Sequence, residues 1–260
     1  MITDEDIKLK TIANCPITIK NMGKVYAPSL REISLYGEND YFYIGSILVS
    51  TIDDLKGDIP EKATFFDYLI SLCSVNEDRK NKIISFLKLI FKEDVTCLPE
   101  NRCFFIGKDL RKIPANEVNL IDNDNFEILQ KILRIQNGFK EKPKTKPEKK
   151  TNSRVEKIKK KREKGRKVME KAKGGDFSLE NMISTLAVFY LDIDKVLNMN
   201  FYQANNQYAK LMRKDQYEKD YSALMAGAKR ENLRLDKHWS IEIKNTFYDD
   251  IEKAPDILSF

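Results

Sequence analysis

Between Lys140 and Lys173 the chain carries seventeen Lys or Arg, five Glu, no Asp and no aromatic residue. The segment has a net charge of +12 in a chain whose formal charge is +6, so the remaining residues together carry −6. Like charges at this density repel one another, and Pro143 and Pro147 favour an extended course over a helix. From Arg154 onward the composition turns to helix formers, yet Val155, Ile158, Val168 and Met169 are the only sizeable apolar side chains before Gly174 and Gly175. A helix there has no apolar stripe with which to dock. The segment reads as a basic linker or a solvated helix from residue 154, and core-forming residues must lie on either side of it. The expected division is 1–139, 140–175 and 176–260.

The flanks have the material for a core. Hydrophobic residues make up 42% of the 260 residues and charged ones 33%, which excludes collagen-like, mucin-like and wholly disordered chains. In the first flank, Pro16 to Lys20 and Lys24 to Ala27 alternate around Asn21-Met-Gly23 and read as a hairpin. Leu30 to Tyr36, stopped by Gly37, has the spacing of a short helix, and further helices fit Asp40 to Thr51, Thr64 to Cys73 and Glu77 to Phe91. Val95 to Leu98 and Cys103 to Ile106 flank Pro99-Glu-Asn-Arg102 as a second hairpin, and Val118 to Ile121 adds a strand. Asp122 then caps a helix with a stripe of Phe126, Leu129, Ile132, Leu133 and Ile135 before Gly138. The last flank has helical periodicity over Leu179 to Tyr190, Ile193 to Leu197 and Phe201 to Met225, with weak strand signals. The expected fold is an α+β N-terminal domain of helices with short hairpins, plus a small all-α C-terminal domain.

Signals for chemistry are sparse. His238 is the single histidine and stands beside Trp239, the single tryptophan, which suits an aromatic anchor for the tail better than a general base. There is no GxxxxGK[ST] phosphate loop. The acidic pairs Asp53-Asp54, Asp122 with Asp124, and Asp249-Asp250 sit where capping or solvation explains them. Cys15, Cys73, Cys97 and Cys103 form no CxxC pair and read as reduced thiols, although Cys97 and Cys103 lie on opposite arms of one hairpin, within possible reach of each other. We expect no enzyme, no cofactor and no metal site. No apolar run approaches the ~18 residues of a membrane-spanning helix, and Met1 to Ile7 carries no secretory signal pattern, so the expectation is a protein of the cytoplasm without a membrane partner.

Two surfaces could bind partners. Lys157, Lys159, Lys160, Lys161, Arg162, Lys164, Arg166 and Lys167 could contact phosphates of a nucleic acid, though without an aromatic stacking platform. In the stretch from Phe201, helical spacing gathers Tyr202, Gln203, Asn206 and Gln207 on a polar face open to a protein partner.

Two stretches carry a family resemblance. Lys24-Val-Tyr-Ala-Pro-Ser-Leu-Arg-Glu-Ile-Ser-Leu-Tyr-Gly-Glu-Asn-Asp-Tyr41 and Ile193-Asp-Lys-Val-Leu-Asn-Met-Asn-Phe-Tyr-Gln-Ala-Asn-Asn-Gln-Tyr208, the latter followed by Gln216-Tyr and Ala223 to Lys229, resemble tail assembly chaperone-like proteins of phages infecting Gram-positive bacteria. The resemblance implies a non-enzymatic protein of the host cytoplasm that binds the tape-measure protein, the tail tube protein or both. The basic segment matches no motif of that family. The alternative is a nucleic-acid-binding or structural virion component that uses residues 140–173.

Overall fold

A computed structural model describes residues 2–55, 63–108, 118–139, 178–230, 233 and 238–240. The described residues are mostly helical, with two small antiparallel sheets. In chain order the elements are α1 (Asp4–Ile12), β1 (Ile17–Ile19), β2 (Gly23–Val25), α2 (Leu30–Tyr36), α3 (Glu38–Leu48), α4 (Phe65–Val75), α5 (Glu77–Phe91), β3 (Val95–Leu98), β4 (Cys103–Ile106), β5 (Asn119–Ile121), α6 (Asn123–Asn137), α7 (Leu179–Tyr190), α8 (Ile193–Leu197) and α9 (Phe201–Met225). The segment 140–173, with its phosphate-contact candidates, and the tail beyond Ser240 lie outside the described residues.

Local chemistry explains most boundaries. Capping boxes start five of the helices: Thr3 with Asp6, Ser29 with Glu32, Thr64 with Asp67, Asp122 with Asn125 and Asn200 with Gln203 each exchange side-chain and backbone hydrogen bonds. Helix α6 ends on Gly138 in the left-handed conformation, φ +67°, which a glycine adopts without steric cost. Helix α1 has no counterpart in the sequence reading. Only Ile7 and Thr11 of it are buried, so no apolar stripe announces it, and its detectable signal is the Thr3-x-x-Asp6 box.

Strands β1 and β2 pair with Ile17 opposite Val25, and β3, β4 and β5 form a meander with Val95 opposite Ile106 and Phe104 opposite Ile121. The Leu120 amide donates to the Asn21 carbonyl at 2.8 Å, tying the first hairpin's turn to the edge of the second sheet. Helix α5 is central: Ile83, Phe86, Leu87, Ile90 and Phe91 are all buried. Phe86 sits 5.2 Å from the Tyr41 ring and 6.3 Å from Tyr36. Gly45 lets α3 approach, because a Cβ there would lie 3.1 Å from the Phe139 ring and 3.6 Å from Phe86.

The polar side of α6 was not legible from the apolar stripe. Gln130 donates its amide to the Leu48 and Ser50 carbonyls at 2.9 and 2.8 Å, and Arg134 donates to the Val49 carbonyl at 2.8 Å. These groups satisfy carbonyls at the end of α3, which has no internal partners for them. Asn137 accepts from the Tyr41 hydroxyl at 2.7 Å, and burial pushes that phenol well above its ordinary range. Gln136 differs. Its amide nitrogen and oxygen are both buried and both without a hydrogen-bond partner. Leaving such groups unsatisfied costs about 1–3 kcal/mol, so Gln136→Met, which keeps the shape and removes both polar atoms, is expected to stabilise the fold by about 1 kcal/mol. Urea unfolding of the two proteins measures it, and a loss of stability would contradict the assignment.

The thiols rearrange the expectation for the second hairpin. Cys97 faces Phe104 and Cys103 faces Leu98 across the ladder, so the two cysteines point to opposite faces of the sheet and do not meet. The neighbour of Cys97 is instead Cys73 of α4, and hydrogen bonding between them together with burial pushes the Cys73 thiol up. Cys73, Cys97 and Cys103 are buried and Cys15 is exposed. Native protein treated with a thiol reagent is therefore expected to label Cys15 rapidly and the other three only on unfolding, as peptide mapping would show.

Candidate partner-binding surface

The residues before and after the undescribed basic segment meet. The core that contains Ile7, Leu30, Tyr41 and Phe86 also contains Leu179, Met182, Leu186, Val196, Met199, Phe201 and Ala204. The seam is made of specific polar contacts as well as apolar ones. Ser29 forms an antiparallel bridge with Asn200, and the Leu30 amide donates to the Met199 carbonyl at 2.8 Å. Arg31 pairs with Asp194 at 2.6 Å, and the Phe42 and Phe201 rings stand 5.1 Å apart at 73°.

Asn200 organises this seam. It is fully buried, its side-chain oxygen accepts from the Gln203 amide at 2.9 Å to cap α9, and its Nδ2 donates to the Thr11 carbonyl at 2.7 Å. The second hydrogen bond gives the Thr11 carbonyl, in the last turn of α1, a second donor beside the Asn14 amide at 3.1 Å. Next to it, Ser29 caps α2 with Glu32, and Glu32 also takes a charged hydrogen bond from Lys92. Burial pushes the Glu32 carboxyl up, but the hydrogen bonds from Lys92 and from the Ser29 backbone outweigh it and leave the group below its ordinary value.

Of the four residues read as a partner-binding face, two are engaged within the chain. Gln203 donates its Nε2 to the Ile12 carbonyl at 2.7 Å and accepts from the Asn200 amide at 2.9 Å. Gln207 accepts from the Tyr190 hydroxyl, whose ring also lies 4.8 Å from the Lys195 ammonium. Tyr202 and Asn206 are half-buried between them. Beyond this first stretch α9 runs on with little cover. Of its 25 residues only Phe201, Ala204 and Asn205 are buried, and the far half carries ion pairs Lys214–Glu218 at 3.6 Å and Asp215–Lys219 at 2.6 Å. His238 lies 5.3 Å from the Tyr217 ring, and Trp239 lies 5.8 Å from the Lys214 ammonium, so these two residues sit against the outer half of α9.

Residues 168–244 match the family model described as the YomV second domain. The match spans α7, α8 and α9, begins inside the basic segment, and points to a phage-type protein family. Comparison with the curated proteins and with the solved structures gives no match. The YomV match and the C-terminal stretch of the tail-chaperone resemblance therefore fall on the same helices, and the seam brings the N-terminal stretch of that resemblance against them. Sequence reasoning missed Asn200 as a junction residue. Its capping role was legible from the Asn200-x-x-Gln203 spacing, whereas its reach to Thr11 has no local signal.

Among the described residues, no group of three or more His, Cys, Asp or Glu is arranged to hold a metal ion. A shallow groove along α4, lined by Ala63, Asp67, Ile70, Ser71, Ser74 and Arg102, holds one ion pair, Arg102–Asp67 at 3.5 Å. No described helix is long and apolar enough to cross a membrane.

Proposed function

We propose that this chain is a non-enzymatic phage tail assembly protein that binds the tape-measure protein, the tail tube protein or both in the host cytoplasm. The observation that supports this reading best is the seam itself. Pro28 to Ile33 and Asp194 to Gln203, drawn from the two stretches that resemble tail assembly chaperones, lie against each other, and the YomV second-domain match covers the second of them. Exposed apolar side chains on α7 and on the outer half of α9, among them Val188, Phe189 and Met225, offer area for protein docking. Mass spectrometry on purified virions beside infected-cell lysate tests the reading. A chaperone is abundant in the lysate and absent from the particle, and a fixed copy number in the particle rejects it.

The net +12 of residues 140–173 supports a second reading, a nucleic-acid-binding or structural virion component with Lys157, Lys159, Lys160, Lys161, Arg162, Lys164, Arg166 and Lys167 on phosphates. Affinity for duplex DNA would then fall by roughly a thousandfold between about 50 and 200 mM salt if six or so phosphates are neutralised. Docking of apolar helices would barely respond to salt over that range.

A further inference from the structure

Phe139 and Leu179, which flank the undescribed basic stretch, are both held by α3. The Leu179 amide donates to the Glu38 carboxylate at 3.3 Å. The Phe139 ring lies 3.1 Å from where a Cβ on Gly45 would stand, and 6.4 Å from the Phe42 ring. Glu38 and Gly45 are seven residues apart on one helix, about 10 Å along its axis at 1.5 Å per residue. The two flanks also differ in what each can bury. Among the described residues, 2–139 bury thirty-three apolar side chains and 178–230 bury seven. So few buried side chains in a stretch of 53 residues fall below what a small domain needs to fold by itself. Phe201, one of the seven, takes its cover from Phe42 of the first flank.

We propose that residues 178–204 are a docking module whose partner is the first flank of the same chain, and that the two stay associated without the covalent link between them. Hydrogen bonds to three separate helices fix the register of this docking. Asn200 and Gln203 donate to the Thr11 and Ile12 carbonyls at the end of α1, the Leu30 amide at the start of α2 donates to the Met199 carbonyl, and Glu38 opens α3. Each uses a backbone group on one side, so the fit is set by the path of the chain and not by a single side-chain pair. In the intact chain the link supplies an effective concentration of the order of millimolar. Cutting it removes that advantage and leaves the surface to hold by itself. A consequence follows for outside partners: the first turn of α9, with Gln203, is occupied from within, so another protein meets the outer half of that helix. The inference does not depend on the tail-assembly reading.

A full chain carrying a specific protease site after Lys150 tests it. The chain is cut to completion, with mild urea added and then removed, and is run on gel filtration beside an uncut sample taken through the same steps. At about 10 µM the pieces are expected to co-elute at the position of the uncut chain, with a Kd of about 1 µM or tighter. Asn200→Ala is expected to weaken the cut complex about thirtyfold or more, while the uncut variant, held by its link, still elutes as the folded chain. Lys214→Ala, on the outer half of α9, is expected to leave the cut complex unchanged. Pieces that separate at about 10 µM overturn the proposal. Equal affinity in cut wild type and cut Asn200→Ala overturns it as well, since the pieces would then be joined elsewhere.

Discussion

Phe86→Ala is expected to destabilise the protein by about 3–5 kcal/mol, the range for removing a buried phenylalanine without collapse of its site. The collapse is blocked on more than one side. Phe86 is fully buried on α5 between the rings of Tyr41 and Tyr36, and the helix facing it presents Gly45, which has no side chain to move inward. Phe139 crosses the same glycine, so the cavity would be walled by aromatic rings already held by other contacts. Phe86→Leu keeps most of the volume and is expected to cost less than about 1.5 kcal/mol. Urea titrations of the three proteins test this by their midpoints at a common slope. A Phe86→Ala variant within 1 kcal/mol of wild type would mean that α3 and α5 can close over the gap.

Asn200→Ala is the second large effect, at about 2–4 kcal/mol. Loss of the α9 cap accounts for about 1 kcal/mol. The rest comes from the two hydrogen bonds of its Nδ2, to the Thr11 carbonyl at 2.7 Å and to Asn14 Oδ1 at 3.3 Å, each worth about 0.5–1.5 kcal/mol, the Thr11 carbonyl keeping the Asn14 amide as its other donor. Asn200→Ser separates the two parts, since a serine hydroxyl caps the helix but cannot span the distance to α1, and its loss is expected to fall between wild type and Ala. Hydrogen exchange locates the damage. Amides of α7, α8 and α9 are expected to lose protection well before those of α5, because the seam is what Asn200 holds. Equal loss in both regions would show that the seam and the central helix open as one unit.

Much of the local structure could be read in advance because its causes are local. Helix α5 spans Glu77 to Phe91 as its apolar spacing requires, α2 runs from its Ser29 cap to Gly37, and the second hairpin turns on Pro99 to Arg102. In each case the signal and the structure lie within one or two turns of chain. Where the structure departed from the apolar pattern, polar residues had taken a core role. Gln130, Gln136 and Asn137 are buried on α6 although the apolar stripe read there leaves them out. Gln130 answers the carbonyls at the end of α3 and Asn137 the Tyr41 hydroxyl, and a pattern read along α6 alone contains no record of either.

The candidate surface divides in the same way. Composition and spacing determined that residues 140–173 carry +12 without an apolar stripe, that Phe201 to Met225 is one helix, and that Asn200 is suited to cap it. Only the tertiary structure decided that Asn200 also bonds Thr11, 189 residues away, that Cys97 meets Cys73 and not Cys103, and that Ser29 lies against Asn200. Periodicity and capping act through hydrogen bonds closed over three or four residues, so they are written in the local sequence. A contact between distant segments depends on how whole faces pack, and many sequences with the same local pattern would satisfy it differently.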